Sequence, residues 1–194
     1  MKLGGVVATL VLMLPMACLS QGTTLKEKVR AVFLQELSTP DRQNNLRQLG
    51  EDNEIVQALI GLASRHRHAK ERTGEFKVLN GVVASLGEYR ARSANELLSS
   101  LLTDQMVHEN VRALAARALG QIDPEANKQA LLNALDPTGY LIIRVYAAEG
   151  LAQTRDPEAL KALERYILEE RDVFVRTKFQ NGAEAMRANG VKPN

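Results

Sequence analysis

The sequence has no tryptophan, one cysteine and three histidines, and its aromatics stop at four Phe and four Tyr. One cysteine excludes an intrachain disulfide framework and a cysteine-rich zinc site. Few aromatics and few β-branched residues (15 Val, 6 Ile) argue against a sandwich or barrel of strands. Neither sign of charge dominates: 25 Lys and Arg face 23 Asp and Glu, a net +2, too mild a field to expect nucleic acid as a partner. No Gly-rich phosphate loop opens a helix, and neither Gly-x-Ser-x-Gly nor His-Glu-x-x-His occurs. What fills the chain instead is Leu (28) and Ala (24), residues that favour helix. With 45% apolar and 25% charged residues in 194, the composition is globular and suits one domain, or one domain plus a processed segment.

The chain opens with Met1-Lys2 and then carries no charge until Lys26. Its apolar stretch, Leu3 to Leu19, is interrupted by Gly4, Gly5 and Pro15 and falls short of the roughly 20 apolar residues of a spanning helix. A basic start, an apolar run ended by proline and small residues beyond it are the layout of a secretory signal peptide, with a retained membrane anchor as the alternative. The cysteine stands at this boundary, in Leu14-Pro15-Met16-Ala17-Cys18. This string resembles a bacterial lipobox. Ala17 fits it, while Met16 and Pro15 depart from the small and aliphatic residues usual upstream. The resemblance implies lipidation at Cys18; the other reading is ordinary cleavage after Ser20. The expected layout is a signal peptide over 1–20, a linker over 21–24 and a domain over 25–190. The expected location is outside the cytoplasm, in the periplasm or outer cell envelope, with membrane contact only through a lipid on Cys18.

Three segments line up: Val111-Arg112-Ala113-Leu114-Ala115-Ala116, Ile143-Arg144-Val145-Tyr146-Ala147-Ala148 and Val175-Arg176-Thr177-Lys178-Phe179-Gln180, at steps of 32 residues. Asp123-Pro124-Glu125-Ala126 and Asp156-Pro157-Glu158-Ala159 repeat one step apart with one inserted residue. Each unit reads as two helices. Asp-Pro-Glu is a helix start, because Asp caps, Pro is tolerated in the first turn and Glu favours the positive end of the dipole. The Leu-Gly at the end of a second helix (Leu86-Gly87, Leu119-Gly120, the latter matched by Leu151-Ala152) reads as a cap. The pattern predicts ten helices, near 25–37, 40–50, 53–65, 75–88, 94–102, 109–120, 124–135, 140–153, 156–169 and 173–188, grouped as five pairs. One short pair cannot bury its apolar face alone, but stacked pairs can.

The Val-Arg-x-x-Ala-Ala-x-x-Leu-Gly string and the Asp-Pro-Glu-Ala start resemble HEAT repeats, above all the short bacterial HEAT-like type also found in bilin lyases. The resemblance is good over 94–186 and weaker over 25–93. It implies an all-α, right-handed α-α superhelix whose second helices line a concave side. The His-Glu pairs of deoxyhypusine hydroxylase, a di-iron HEAT-repeat enzyme, have one counterpart, His108-Glu109. The positions 32 residues on are Tyr140-Leu141, so that site cannot be assembled. No residue set of a bilin lyase is found to carry over.

Arg112, Arg144 and Arg176 share one repeat position and would stack in a row. In HEAT repeats such arginines bond acidic residues and helix-end carbonyls, and Asp104, Asp136 and Asp172 are the acids nearby; the other reading is a basic stripe for an acidic ligand. Arg65, Arg67, Lys70 and Arg72 form the densest basic run, either a solvated inter-helix loop or a contact for phosphate, lipid headgroups or an acidic protein. His66 and His68 sit two apart and lack a third ligand, so no metal and no cofactor is expected.

The expected role is a non-catalytic scaffold or adaptor holding a protein or peptide on the concave face. Lys77, Arg117, Glu149, Lys178 and Glu184 are the candidate contacts. One alternative is a structural or regulatory subunit of an envelope complex bound through the solenoid ends, where Phe33, Phe174 and Phe179 would fill stacking surface. Another is an enzyme with a non-obvious site, bilin-lyase-like or metal-dependent.

Overall fold

A computed structural model describes residues 23–192. The expected signal peptide over 1–20, with Cys18, and the first two residues of the expected linker lie outside the described residues. Among those described there is no strand, and ten α-helices follow one another. They are α1 (Leu25–Leu34), α2 (Thr39–Arg47), α3 (Asp52–His66), α4 (Gly74–Glu88), α5 (Asn95–Thr103), α6 (Glu109–Ile122), α7 (Lys128–Asn133), α8 (Leu141–Leu151), α9 (Pro157–Glu169) and α10 (Val173–Ala188).

Local chemistry starts several of them. Thr24 and Glu27 close a reciprocal capping box on α1, and Ser38 caps α2 with Pro40 in its first turn. Asp156 caps α9 by accepting from the Glu158 N–H, with Pro157 in the first turn, as its Asp-Pro-Glu sequence predicts. The same sequence at 123–126 behaves differently. The Ala126 N–H donates to Asp123 Oδ1 (3.2 Å), and the Asn127 N–H donates to the Asp123 carbonyl (3.1 Å). α7 starts only at Lys128 and has six residues, not the twelve expected. Two longer-range bonds hold the turn. Buried Asn127 donates from Nδ2 to the Leu119 carbonyl (3.1 Å), and Glu125 accepts from the Arg155 N–H (2.6 Å).

The helices pack as neighbouring pairs over one continuous core that runs from Val29 to Val191. The second helices α4, α6, α8 and α10 pack in sequence, each against the next. The first helices α3, α5, α7 and α9 cover them and touch one another far less. The first pair departs from this order. α1 lies against both α3 and α4, while α2, rich in polar residues, fully buries only Leu46.

The Leu-Gly strings are not caps. Gly87 and Gly120 lie inside α4 and α6, and only Gly190 among the described glycines has a positive φ. They are crossing points. A Cβ on Gly120 would run into the Gly150 Cα, and a Cβ on Gly87 would come within 2.9 Å of the Ala118 Cα. Small residues let backbones of adjacent second helices approach directly. α4 is closed instead by Arg90 at φ 49°, with the Ala91 N–H reaching the Leu86 carbonyl (3.1 Å).

Candidate functional site

The 32-residue step sets side chains of successive second helices side by side, and residues three or four apart share a helix face. One row is Asn110, Ile142 and Phe174. The next is Leu114, Tyr146 and Lys178, and a third is Arg117, Glu149 and Asn181. None of these nine is fully buried, and Phe174 is 61% exposed. Contacts knit the rows together. The Arg117 guanidinium sits over the Tyr146 ring, 5.7 Å from its centroid. Lys178 Nζ lies 3.5 Å from Glu149 Oε1 and 5.5 Å from the Phe174 ring centroid. Tyr140, Leu141 and Val173 extend the exposed apolar surface along the helix starts.

On α4 the equivalent positions border α1. Gly81 lies against the Phe33 ring, and Lys77 Nζ donates to the Leu34 carbonyl at 3.3 Å. The uncovered track therefore runs over α6, α8 and α10. Of the expected contacts, Arg117, Glu149 and Lys178 come together on it, and Lys77 stands beside α1. Glu184 does not join them: it shares another face of α10 with exposed Thr177 and Gln180. Among the described residues no helix pair packs on that face, and the residues it presents are polar. Ile142 and Tyr146 were missed by the sequence reading, which weighed only charged residues for the concave face and placed Phe174 at a solenoid end instead. Their 32-residue register was the signal that could have found them.

The ends differ from expectation as well. Phe33 and Phe179 are core residues, 3% and 0% exposed, so neither is free to fill a stacking surface. Of the three phenylalanines named for that role only Phe174 is exposed, and it belongs to the track.

Each ladder arginine bonds a carbonyl of its own pair, and Arg144 also reaches into the next. Arg112 Nε donates to the Leu102 carbonyl (2.9 Å) and Nη1 to Gln105 Oε1 (2.8 Å). Arg144 Nε donates to the Leu135 carbonyl (3.3 Å), and its guanidinium, almost wholly buried, pairs with buried Glu170. Arg176 Nη1 donates to the Glu170 carbonyl (3.2 Å). Their partners are carbonyls at the ends of first helices, groups that have no acceptor role within the helix itself. The nearby aspartates are engaged elsewhere. Asp104 pairs with Arg67 (2.9 Å), Asp136 accepts from the Thr138 N–H and hydroxyl, and Asp172 caps α10.

The basic run divides in the same way. Arg65 is exposed in the last turn of α3. Arg67 turns inward to Ser100 (3.0 Å) and Asp104, tying the α3–α4 turn to α5. The Met106 N–H and then Arg67 hold the Asp104 carboxyl below the usual carboxylate range. Lys70 and Arg72 remain exposed, Arg72 at φ 67°. His66 is half-buried, and burial followed by Arg30 pushes its pKa down. Among the described residues no three His, Cys, Asp or Glu could hold a metal ion, and no helix is long and apolar enough to cross a membrane.

Residues 69–145, from the α3–α4 turn into α8, match the family model for HEAT repeats. Residues 143–168, over α8 and α9, match the PBS lyase HEAT-like repeat. No curated protein matches the chain. The described residues thus form an all-helical stack of neighbouring helix pairs, consistent with a HEAT-like α-solenoid, and the two matches support a HEAT-repeat protein. Such repeats generally form non-catalytic scaffolds and commonly mediate protein–protein interaction.

Proposed function

We propose that this protein is an exported, non-catalytic scaffold or adaptor that holds a protein or peptide partner on the α6–α8–α10 track. The observation that carries the reading is the track itself: Leu114, Ile142, Tyr146 and Phe174 left partly or fully exposed, edged by Arg117, Glu149 and Lys178. An apolar centre with a polar rim is the anatomy of a protein interface. Second helices pack closely on one another while first helices splay. In a two-layer stack the tighter layer lies inside the bend, which favours a concave track.

Export rests on the uncharged, apolar segment after Lys2, with Cys18 as the lipidation candidate and the periplasm or outer cell envelope as destination. The test is a photo-crosslinking amino acid placed at Tyr146 in cells, with the same residue at Lys161 on α9 as control. Crosslinks from position 146 to one defined envelope protein, absent from position 161, are expected. Equal yields from both positions would overturn the placement of the interface. Fractionation of the protein into the cytoplasm would overturn export.

A further inference from the structure

The ionic groups of the second-helix layer are not balanced. Glu149 is paired with Lys178 (3.5 Å). Glu88, at the end of α4, accepts from Gln43 Nε2 (3.1 Å), and Lys77 is bonded to a carbonyl of α1. Arg117 is left. It is exposed, and among the described residues it makes no ion pair and no hydrogen bond; its recorded contact is the Tyr146 ring face. A guanidinium over a ring keeps its N–H donors in its own plane, where they match both oxygens of a carboxylate. Tyr146 also shields one side of that cation from water and fixes its place. Apolar surface at Leu114, Ile142 and Phe174 surrounds the pair.

We infer that the track receives an acidic segment of its protein partner: a carboxylate on Arg117 beside Tyr146, with flanking aliphatic or aromatic side chains on Ile142 and Phe174. The inference rests on the reading of this face as the binding surface and adds the chemistry of its occupant. Charge complementarity selects it. A basic segment would bring like charge to Arg117, and the one carboxylate on the track already serves Lys178. A neutral apolar segment would leave the guanidinium covered and unpaired, which is costly.

The test uses the full-length protein and three short labelled peptides that share their Leu and Phe residues and carry Glu, Lys or Ser between them. Binding is read by fluorescence polarisation. The Glu peptide is expected to bind about fivefold or more tightly than the Ser peptide, with the Lys peptide weakest. Arg117→Glu should reverse the order, and Tyr146→Ala should weaken all three. Circular dichroism checks that both variants keep their helicity. Equal binding of the three peptides, still weakened by Tyr146→Ala, would overturn the acidic preference and leave the face reading standing. Binding insensitive to Arg117→Glu and Tyr146→Ala, or no binding, would overturn both. Preferential binding of vesicles containing phosphatidylglycerol, abolished by Arg117→Glu while no peptide binds, would replace the acidic peptide by an anionic membrane.

Discussion

Two glycine substitutions should change stability in opposite directions, although both glycines sit inside helices. Gly61 lies within α3, and a Cβ there meets only the far end of the Lys26 side chain, at 2.8 Å. That chain can swing away. Gly61→Ala should therefore keep the intrinsic gain of alanine over glycine in a helix interior, about 1 kcal/mol. Gly120 lies within α6, where a Cβ would run into the Gly150 Cα, and no side chain can yield. α6 and α8 must separate by roughly an ångström, and overpacking of this kind costs about 1–3 kcal/mol or more. A backbone-on-backbone clash belongs at the upper end, so the helix gain is outweighed and Gly120→Ala should lose about 1–2 kcal/mol net. The assay is urea unfolding followed by circular dichroism, comparing midpoints at equal slope. Thermal midpoints should move about 2–4 °C per kcal/mol for a chain of this size. If Gly120→Ala is as stable as the parent, the α6–α8 crossing is not held by direct glycine contact and the reasoning fails.

Arg144→Met leaves the Glu170 carboxylate buried without its cation, which should cost about 3–5 kcal/mol, whereas Arg176→Met removes a half-exposed bond to a carbonyl and should cost about 1 kcal/mol. Urea midpoints rank the two, and equal losses would refute the special weight of the buried pair. For pH, the hydrogen bond from Lys128 holds the Asp156 carboxyl below the usual carboxylate range. The folded-state pKa is the lower one, so this stability is fully present above about pH 4 and is lost as pH falls through the depressed value. Asp156→Asn should flatten the acid limb of the stability profile relative to the parent. An unchanged limb would mean the pair does not couple to folding.

The sequence was most legible where one local signal decides the structure. Asp156-Pro157-Glu158 caps α9 as its chemistry requires, and α10 spans Val173–Ala188 as expected. The same Asp-Pro-Glu string at 123–125 failed as a helix start because Asn127 and Glu125 are committed to Leu119 and Arg155. Those partners lie 8 and 30 residues away and no local rule sees them. Leu119-Gly120 misled for a similar reason. A glycine near a helix end suits a cap and a close crossing equally, and only the position of Gly150 separates the two. The weaker repeat before residue 94 was also under-read: the HEAT match reaches back to residue 69. On the track, Arg117, Glu149 and Lys178 stood out by charge. Ile142 and Tyr146 did not, because an apolar stripe on an amphipathic helix is assumed to face a core. Only the stacking of the layers reveals that, among the described residues, no element lies over this stripe.

The repeats within the chain also separate what the fold requires from what it leaves open. At the first of two positions on the second helices, successive units carry Arg112, Arg144 and Arg176, and all three bond a helix-end carbonyl of their own pair. Those carbonyls need a donor in every unit, and the same residue type recurs. Five residues further on the units carry Arg117, Glu149 and Asn181, three different chemistries. No helix end calls for a donor there, so packing sets no common residue. A position that the stack leaves undefined is one where a partner's chemistry can be met without loss of stability. The row of Arg117 meets that condition and the row of Arg112 does not. Charge reversal should therefore alter binding with little change in stability at Arg117, and stability first at Arg144.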